Sequence, residues 1–135
     1  MKQTKTCLIV DDDADDQEIF LMCLKQISNN EIECLTANNG VEAITMLVDK
    51  EYTPSYIFID VNMPKMNGID CLRIIKNIDR LKYSKIFMYS TTSEGSALAT
   101  SQQLGANDFI IKPSSSTMLK EKLSKIFEIV SEINE

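Results

Sequence analysis

At 135 residues the chain has the length of one ordinary domain, enough to bury a sizeable core. Its composition, 44% apolar and 25% charged, is globular, and no apolar run approaches the roughly 18–20 residues that span a bilayer. A net charge of −6 lacks the basic face that nucleic-acid binding needs, and the absence of histidine rules out Ser-His-Asp and Cys-His catalysis and, with no CxxC pair among the four cysteines, argues against the common zinc sites.

Residues 1–5 lead straight into an apolar run without a signal-peptide core or cleavage site, so a cytoplasmic location is expected. The run "TCLIV" (6–10) reads as a strand. Behind it lies an amphipathic stretch, 15–27, with Ile19, Phe20, Cys23, Leu24 and Ile27 at helical spacing. "IECLT" (32–36) alternates like a strand, and Asn39 and Gly40 read as a turn and helix start. The helix over 40–50 is expected to turn Val41, Ile44, Leu47 and Val48 inward. "SYIFID" (55–60) is a buried strand ending in an acid, followed by a helix over 68–78 with Ile69, Leu72, Ile75 and Ile78 inward. "KIFMYS" (85–90) ends in a hydroxyl, and "SALATSQQLGA" (96–106) is a short helix closed by Gly105. "DFIIK" (108–112) is a fifth strand. The terminal helix over 115–133 is capped by Ser114 or Ser115, with Leu119, Leu123, Ile126 and Val130 inward.

Five strands alternating with five helices make a (βα)5 unit, a doubly wound parallel sheet covered on both faces. No linker interrupts it, so residues 1–135 are expected to be one domain without an output domain. Cys7, Cys23, Cys34 and Cys71 form no CxxC pair and sit among apolar neighbours, which predicts buried small hydrophobes.

Ligands of open α/β sheets bind outside the carboxyl ends of the strands. There the chain places Asp11 and Asp12 after strand 1, Asp60 after strand 3, Ser90 and Thr91 after strand 4, and Lys112 after strand 5. Carboxylates without soft ligands suit a hard cation, Mg²⁺ or Mn²⁺. With such a cation a carboxylate stays ionised and can attack phosphorus, while a lysine and a hydroxyl hold phosphoryl oxygens. An EF-hand fails, because loop position 6 is Asp16 and position 12 is Met22 where Gly and Glu are required. Asp13, Asp15 and Asp16 instead read as acids of the first helical turn, favourable at a helix N-terminus.

The pieces "LIVDD" (8–12), "FIDVNMPKMNG" (58–68), "FMYST" (87–91) and "FIIKPS" (109–114) resemble, in this order and spacing, the receiver domain of two-component response regulators. The resemblance implies a flavodoxin-like sheet of strand order 2-1-3-4-5. Carried over by position, it implies Asp60 as phosphoacceptor, Asp12 as direct metal ligand, Asp11 as its water-mediated neighbour and the backbone carbonyl of Asn62 as a further ligand. Lys112 matches the family lysine and Ser90 the switch hydroxyl, with Thr91 competing for that role one residue on. Phe109 stands at the aromatic switch position; lacking a hydroxyl, it either reports the state through packing or serves only as core. The family's Lys-Pro bond is usually cis, which marks Lys112–Pro113 as a cis candidate. Met63 and Met66 read as loop packing.

The implied partners are a histidine kinase or a histidine phosphotransfer protein and a downstream protein target, for a regulator or a relay intermediate. Two other classes share part of the pattern. A haloacid-dehalogenase-type phosphatase would carry its nucleophile at the end of strand 1, where Asp11 and Asp13 formally fit a D-x-D motif. A flavodoxin-like cofactor binder would want a Ser/Thr/Gly-rich loop there, where this chain has acids. The Ser/Thr/Gly-dense segment 90–101 predicts a weakly protected fourth helix.

Overall fold

The computed structural model describes residues 5–92 and 95–129. Its strands are β1 (Thr6–Val10), β2 (Glu33–Ala37), β3 (Tyr56–Ile59), β4 (Lys85–Ser90) and β5 (Asp108–Ile111). The helices between and after them are α1 (Ala14–Ser28), α2 (Gly40–Leu47), α3 (Gly68–Lys76), α4 (Ala97–Gln103) and α5 (Ser116–Ile126), with a 3-10 turn at Asp79–Leu81. All strand pairs are parallel, in the order β2-β1-β3-β4-β5. That is the doubly wound (βα)5 sheet anticipated above. No helix among the described residues is long and apolar enough to cross a membrane.

Strand alternation divides the core into two layers. On one face Cys7 and Ile9 of β1 join Phe20, Cys23 and Leu24 of α1 and Leu119 and Leu123 of α5. Tyr56, Phe58, Phe87 and Tyr89 fill the space between, with Phe127 against them. Phe58 is the hub, with ring centroids 4.9 Å from Phe20 and 5.1 Å from Phe87. On the other face Leu8 and Val10 meet Ala43 and Leu47 of α2 and Cys71, Leu72 and Ile75 of α3. Cys7, Cys23 and Cys71 are buried as expected, whereas Cys34 on the edge strand β2 is half-buried.

Helix boundaries differ where capping outweighs hydrophobic spacing. Asp13 caps α1, its carboxylate accepting from the Asp15 and Asp16 backbone N–H groups at 2.9 and 3.1 Å. The helix therefore starts one residue earlier than expected. Asn39 caps α2 by accepting from Glu42 N, and Ser115 caps α5 by accepting from Met118 N. The expected inward set of α2 is corrected: Val41 and Val48 are exposed, and Gly40, Ala43 and Leu47 are buried instead. Small residues let α2 sit close to its neighbours, with Met66 against Gly40, so the packed stripe follows small side chains as well as large ones. Ile19 of α1 is likewise exposed. Helix α5 ends at Ile126, and Val130 lies outside the described residues.

Candidate functional site

The register of the sheet assembles the pocket. Val10 pairs with Ile59, so the next residues, Asp11 and Asp60, emerge side by side from the two central strands. Their backbones are held in the ladder: Asp11 N–H donates to Ala37 O at 3.0 Å and Asp60 N–H to Val10 O at 2.9 Å. Across β4, Ser90 pairs with Ile111, and Lys112 N–H donates to Ser90 O at 2.7 Å. Chain connectivity reverses between β1 and β3, which makes this edge the topological switch point.

The loop after β3 is shaped by local constraints. Pro64 O accepts from Met66 N at 2.7 Å, Lys65 stands at φ 70°, and Asn67 caps α3 through Asp70 N. Gly68 N–H donates to Val61 O at 2.7 Å, which draws the start of α3 against the Asp60 backbone. A Cβ at Gly68 would lie 2.1 Å from Asp60 O, so only glycine fits.

Asp11, fully buried, accepts from Asp13 N on Oδ1 at 3.0 Å and from Lys112 Nζ on Oδ2 at 2.8 Å. Lys112 Nζ also donates to Asp16 Oδ2 at 2.8 Å and lies 3.5 Å from Asp60 Oδ2. The ammonium sits 5.3 Å from the centroid of the Tyr89 ring, which itself meets Phe20 edge-on. Its side chain is only 9% exposed, yet the acids around it hold its pKa above the ordinary lysine value against the opposing effect of burial.

Asp60 is 8% exposed. Burial pushes its carboxyl up to about 6. Lys112 opposes that shift, Asp11 adds to it by charge and hydrogen bonding, and the Asn62 backbone N–H partly offsets it. Asp12 is exposed at the rim, and one carboxylate oxygen each of Asp11, Asp12 and Asp60 lies within 4.8 Å of the others. Ser90 is buried, and its Oγ finds no hydrogen-bond partner among the described residues.

The structure therefore brings Asp11, Asp12, Asp60 and Lys112 together at one sheet edge. It sets Ser90 inside at the end of β4 and leaves Thr91 exposed beside it. Asn62 stands exposed after Asp60. Phe109 is half-buried against the α2–α3 side of the core, opposite Met88 in the ladder. No peptide bond among the described residues is cis. Lys112–Pro113 is thus trans, the form that tertiary amides favour by default.

Sequence reasoning left Asp16 out of the pocket. The signal was present, since Asp16 precedes the buried Phe20 by four residues and so shares the face of α1 that meets the sheet. Asp13 is the capping residue, and Asp15 and Asp16 both lie in the first turn of α1 as expected, Asp16 with the added pairing to Lys112.

A parallel five-stranded sheet with clustered carboxylates and a lysine at its switch point defines an acidic pocket of the phosphoacceptor kind. The family model of the response regulator receiver domain matches residues 7–124, and the chain belongs to that family. It is 34% identical over 121 residues to the chemotaxis protein CheY-3 of Vibrio cholerae, covering 90% of each chain. Among solved structures it resembles the phosphorylated cyanobacterial phytochrome response regulator RcpA, with a TM-score of 0.85, 26% identity and 93% of each chain covered. The Mn²⁺-bound form of the response regulator Rcp1 shares the fold, with a TM-score of 0.83 at 24% identity over 94% of this chain and 97% of that one.

Proposed function

We propose that this receiver accepts a phosphoryl group on Asp60 from a histidine kinase or a histidine phosphotransfer protein. It then presents an altered surface to a downstream protein target or passes the phosphoryl group on. The observation that carries this reading is the arrangement around Asp60: a nearly buried carboxylate with a lysine ammonium 3.5 Å away and, at the end of the neighbouring strand, a buried hydroxyl without a hydrogen-bond partner among the described residues. A carboxylate is already a competent nucleophile, so no general base is needed.

The donor set fits a hard divalent cation. Three carboxylates converge, one of them held protonation-prone by burial; among the described residues no thiol joins them, and the chain has no histidine. Asp11, Asp12, Asp60 and the Asn62 carbonyl would hold Mg²⁺ or Mn²⁺. When bound, the cation neutralises charge on the carboxylates and on the phosphoryl oxygens. Asp60 attacks phosphorus in line, an Asp60–phosphorus bond forms as the donor's bond to phosphorus breaks, and the donor imidazole leaves. Lys112 and the Ser90 hydroxyl, with Thr91 at the rim, then hold phosphoryl oxygens. In the same frame the receiver's self-catalysis is limited to its own phosphorylation and dephosphorylation. The reading takes residues 1–135 as one receiver domain and places the protein in the cytoplasm beside its partners. Phe109 is assigned a packing response to the state of Ser90, without a hydrogen bond of its own.

Incubation with acetyl phosphate and Mg²⁺, followed by intact mass, tests this directly. The wild type is expected to gain one phosphoryl group and Asp60→Asn none. An unlabelled wild type, under conditions that label a control receiver, rejects the proposal.

A further inference from the structure

Lys112 Nζ has three N–H donors. Two are committed at 2.8 Å, to Asp11 Oδ2 and to Asp16 Oδ2, while Asp60 Oδ2 stands further off at 3.5 Å. The two close acids differ in what else faces them. Asp11 belongs to the three-carboxylate cluster suited to a cation, together with Asp12 and Asp60. Asp16 lies outside that cluster, so its charge bears on the lysine without a share in cation binding. It projects from the first turn of α1, 33% exposed at the pocket rim, whereas Lys112 is nearly enclosed.

We propose that Asp16 is a positioning residue that competes with the phosphoryl group on Asp60 for the Lys112 ammonium, and so weakens the phosphorylated state. The inference rests on the assignment of Asp60 as phosphoacceptor. A phosphoryl group carries close to two negative charges and strong acceptor oxygens. Its hold on Lys112 depends on how much of that cation's charge and how many of its donors remain uncommitted. A bound cation relieves Asp11 of part of its charge, but Asp16 retains its own and keeps drawing the ammonium toward α1. The phosphorylated state can therefore call on the third donor of an ammonium already drawn toward α1, and it gains a fuller hold only as Lys112 moves away from Asp16. Because Asp16 is partly exposed, releasing it strands no buried carboxylate, so the competition is a modest one.

Beryllofluoride with Mg²⁺, a non-covalent phosphoryl mimic, provides an equilibrium readout by calorimetric titration. Asp16→Asn, which keeps the side-chain shape and removes the charge, is expected to bind it roughly two- to five-fold more tightly, the scale of a partly exposed ion pair. Asp16→Glu restores the charge and is expected to return affinity toward the wild-type value. The decisive arm is the double-mutant cycle with Lys112→Gln. A competitor acting through the lysine has no effect once the lysine is gone, whereas a general field effect or a structural change persists. Unchanged or weaker binding by Asp16→Asn, or a gain that survives undiminished in the Lys112→Gln background, overturns the inference. Asp16→Ser carries the same test should Asp16→Asn fail to fold. Labelling of the wild type by acetyl phosphate separates the two readings. An unlabelled wild type rejects both, while a labelled wild type with an indifferent Asp16→Asn rejects only the competition.

Discussion

The placement of Asp60 depends on a residue that carries no functional group. Gly68 opens α3 beside the Asp60 backbone, and a methyl there would stand 2.1 Å from the Asp60 carbonyl oxygen. The contact is with backbone, so it cannot be relieved by a side-chain rotation. Gly68→Ala must shift either α3 or the end of β3. Overpacking of this kind costs about 1–3 kcal/mol. Urea denaturation is expected to show that loss, and acetyl phosphate labelling at Asp60 is expected to slow with it. Wild-type stability with wild-type labelling would show that the loop yields freely. The same scale explains Asp16, whose ion pair with Lys112 depends on helical phase and not on its neighbours in sequence.

Among the elements, α4 is the least anchored. It is a seven-residue helix whose only buried member is Ser101, and among the described residues no side chain caps its N-terminus at Ser96. By contrast α3 buries Cys71, Leu72 and Ile75 and is capped by Asn67. Few buried apolar contacts and mediocre helix formers place α4 at the low end of local stability. Amide hydrogen exchange is expected to be fastest in α4 among the helices, and slowest in β1, β3 and β4. Protection in α4 equal to that of the central strands would contradict this. Helix α4 is the next helix after the strand that ends in Ser90. If the proposed role of Ser90 holds, a weakly held α4 would yield at little cost when that hydroxyl shifts toward a phosphoryl group.

For the whole molecule, the acidic pocket ties stability to pH and to cations. Asp60 has its folded-state pKa raised from 3.8 to about 6. Its contribution to stability is therefore full below pH 3.8 and is lost as pH rises through about 6, because the native state binds that proton more tightly than the unfolded chain. A divalent cation competes with the same proton. Its apparent affinity is expected to rise roughly tenfold between about pH 5 and pH 7 and then level off, as one proton is displaced. Calorimetric titration with Mg²⁺ across that range checks the slope. The increase in Tm on adding Mg²⁺ should likewise be larger at pH 7 than at pH 5. Affinity that is flat with pH would show that Asp60 is already ionised at the lower value.

The sequence by itself determined the alternation of elements, the parallel sheet and the strand ends at which chemistry collects, since hydrophobic periodicity and strand polarity are local properties that burial preserves. It also marked Asp11, Asp60, Ser90 and Lys112, because each directly follows or ends an apolar run, and Asp12 next to Asp11. Tertiary structure decided what periodicity leaves open. It chose the small residues Gly40 and Ala43 over Val41 and Val48 as the packed side of α2, because packing rewards close approach as well as apolar area. It turned Asp16 from a helix-terminal charge into a partner of Lys112, 96 residues away. A capping box or a strand end is written within a few neighbouring residues. A competition for one ammonium exists only once the sheet has set three strand ends and a helix around the same point.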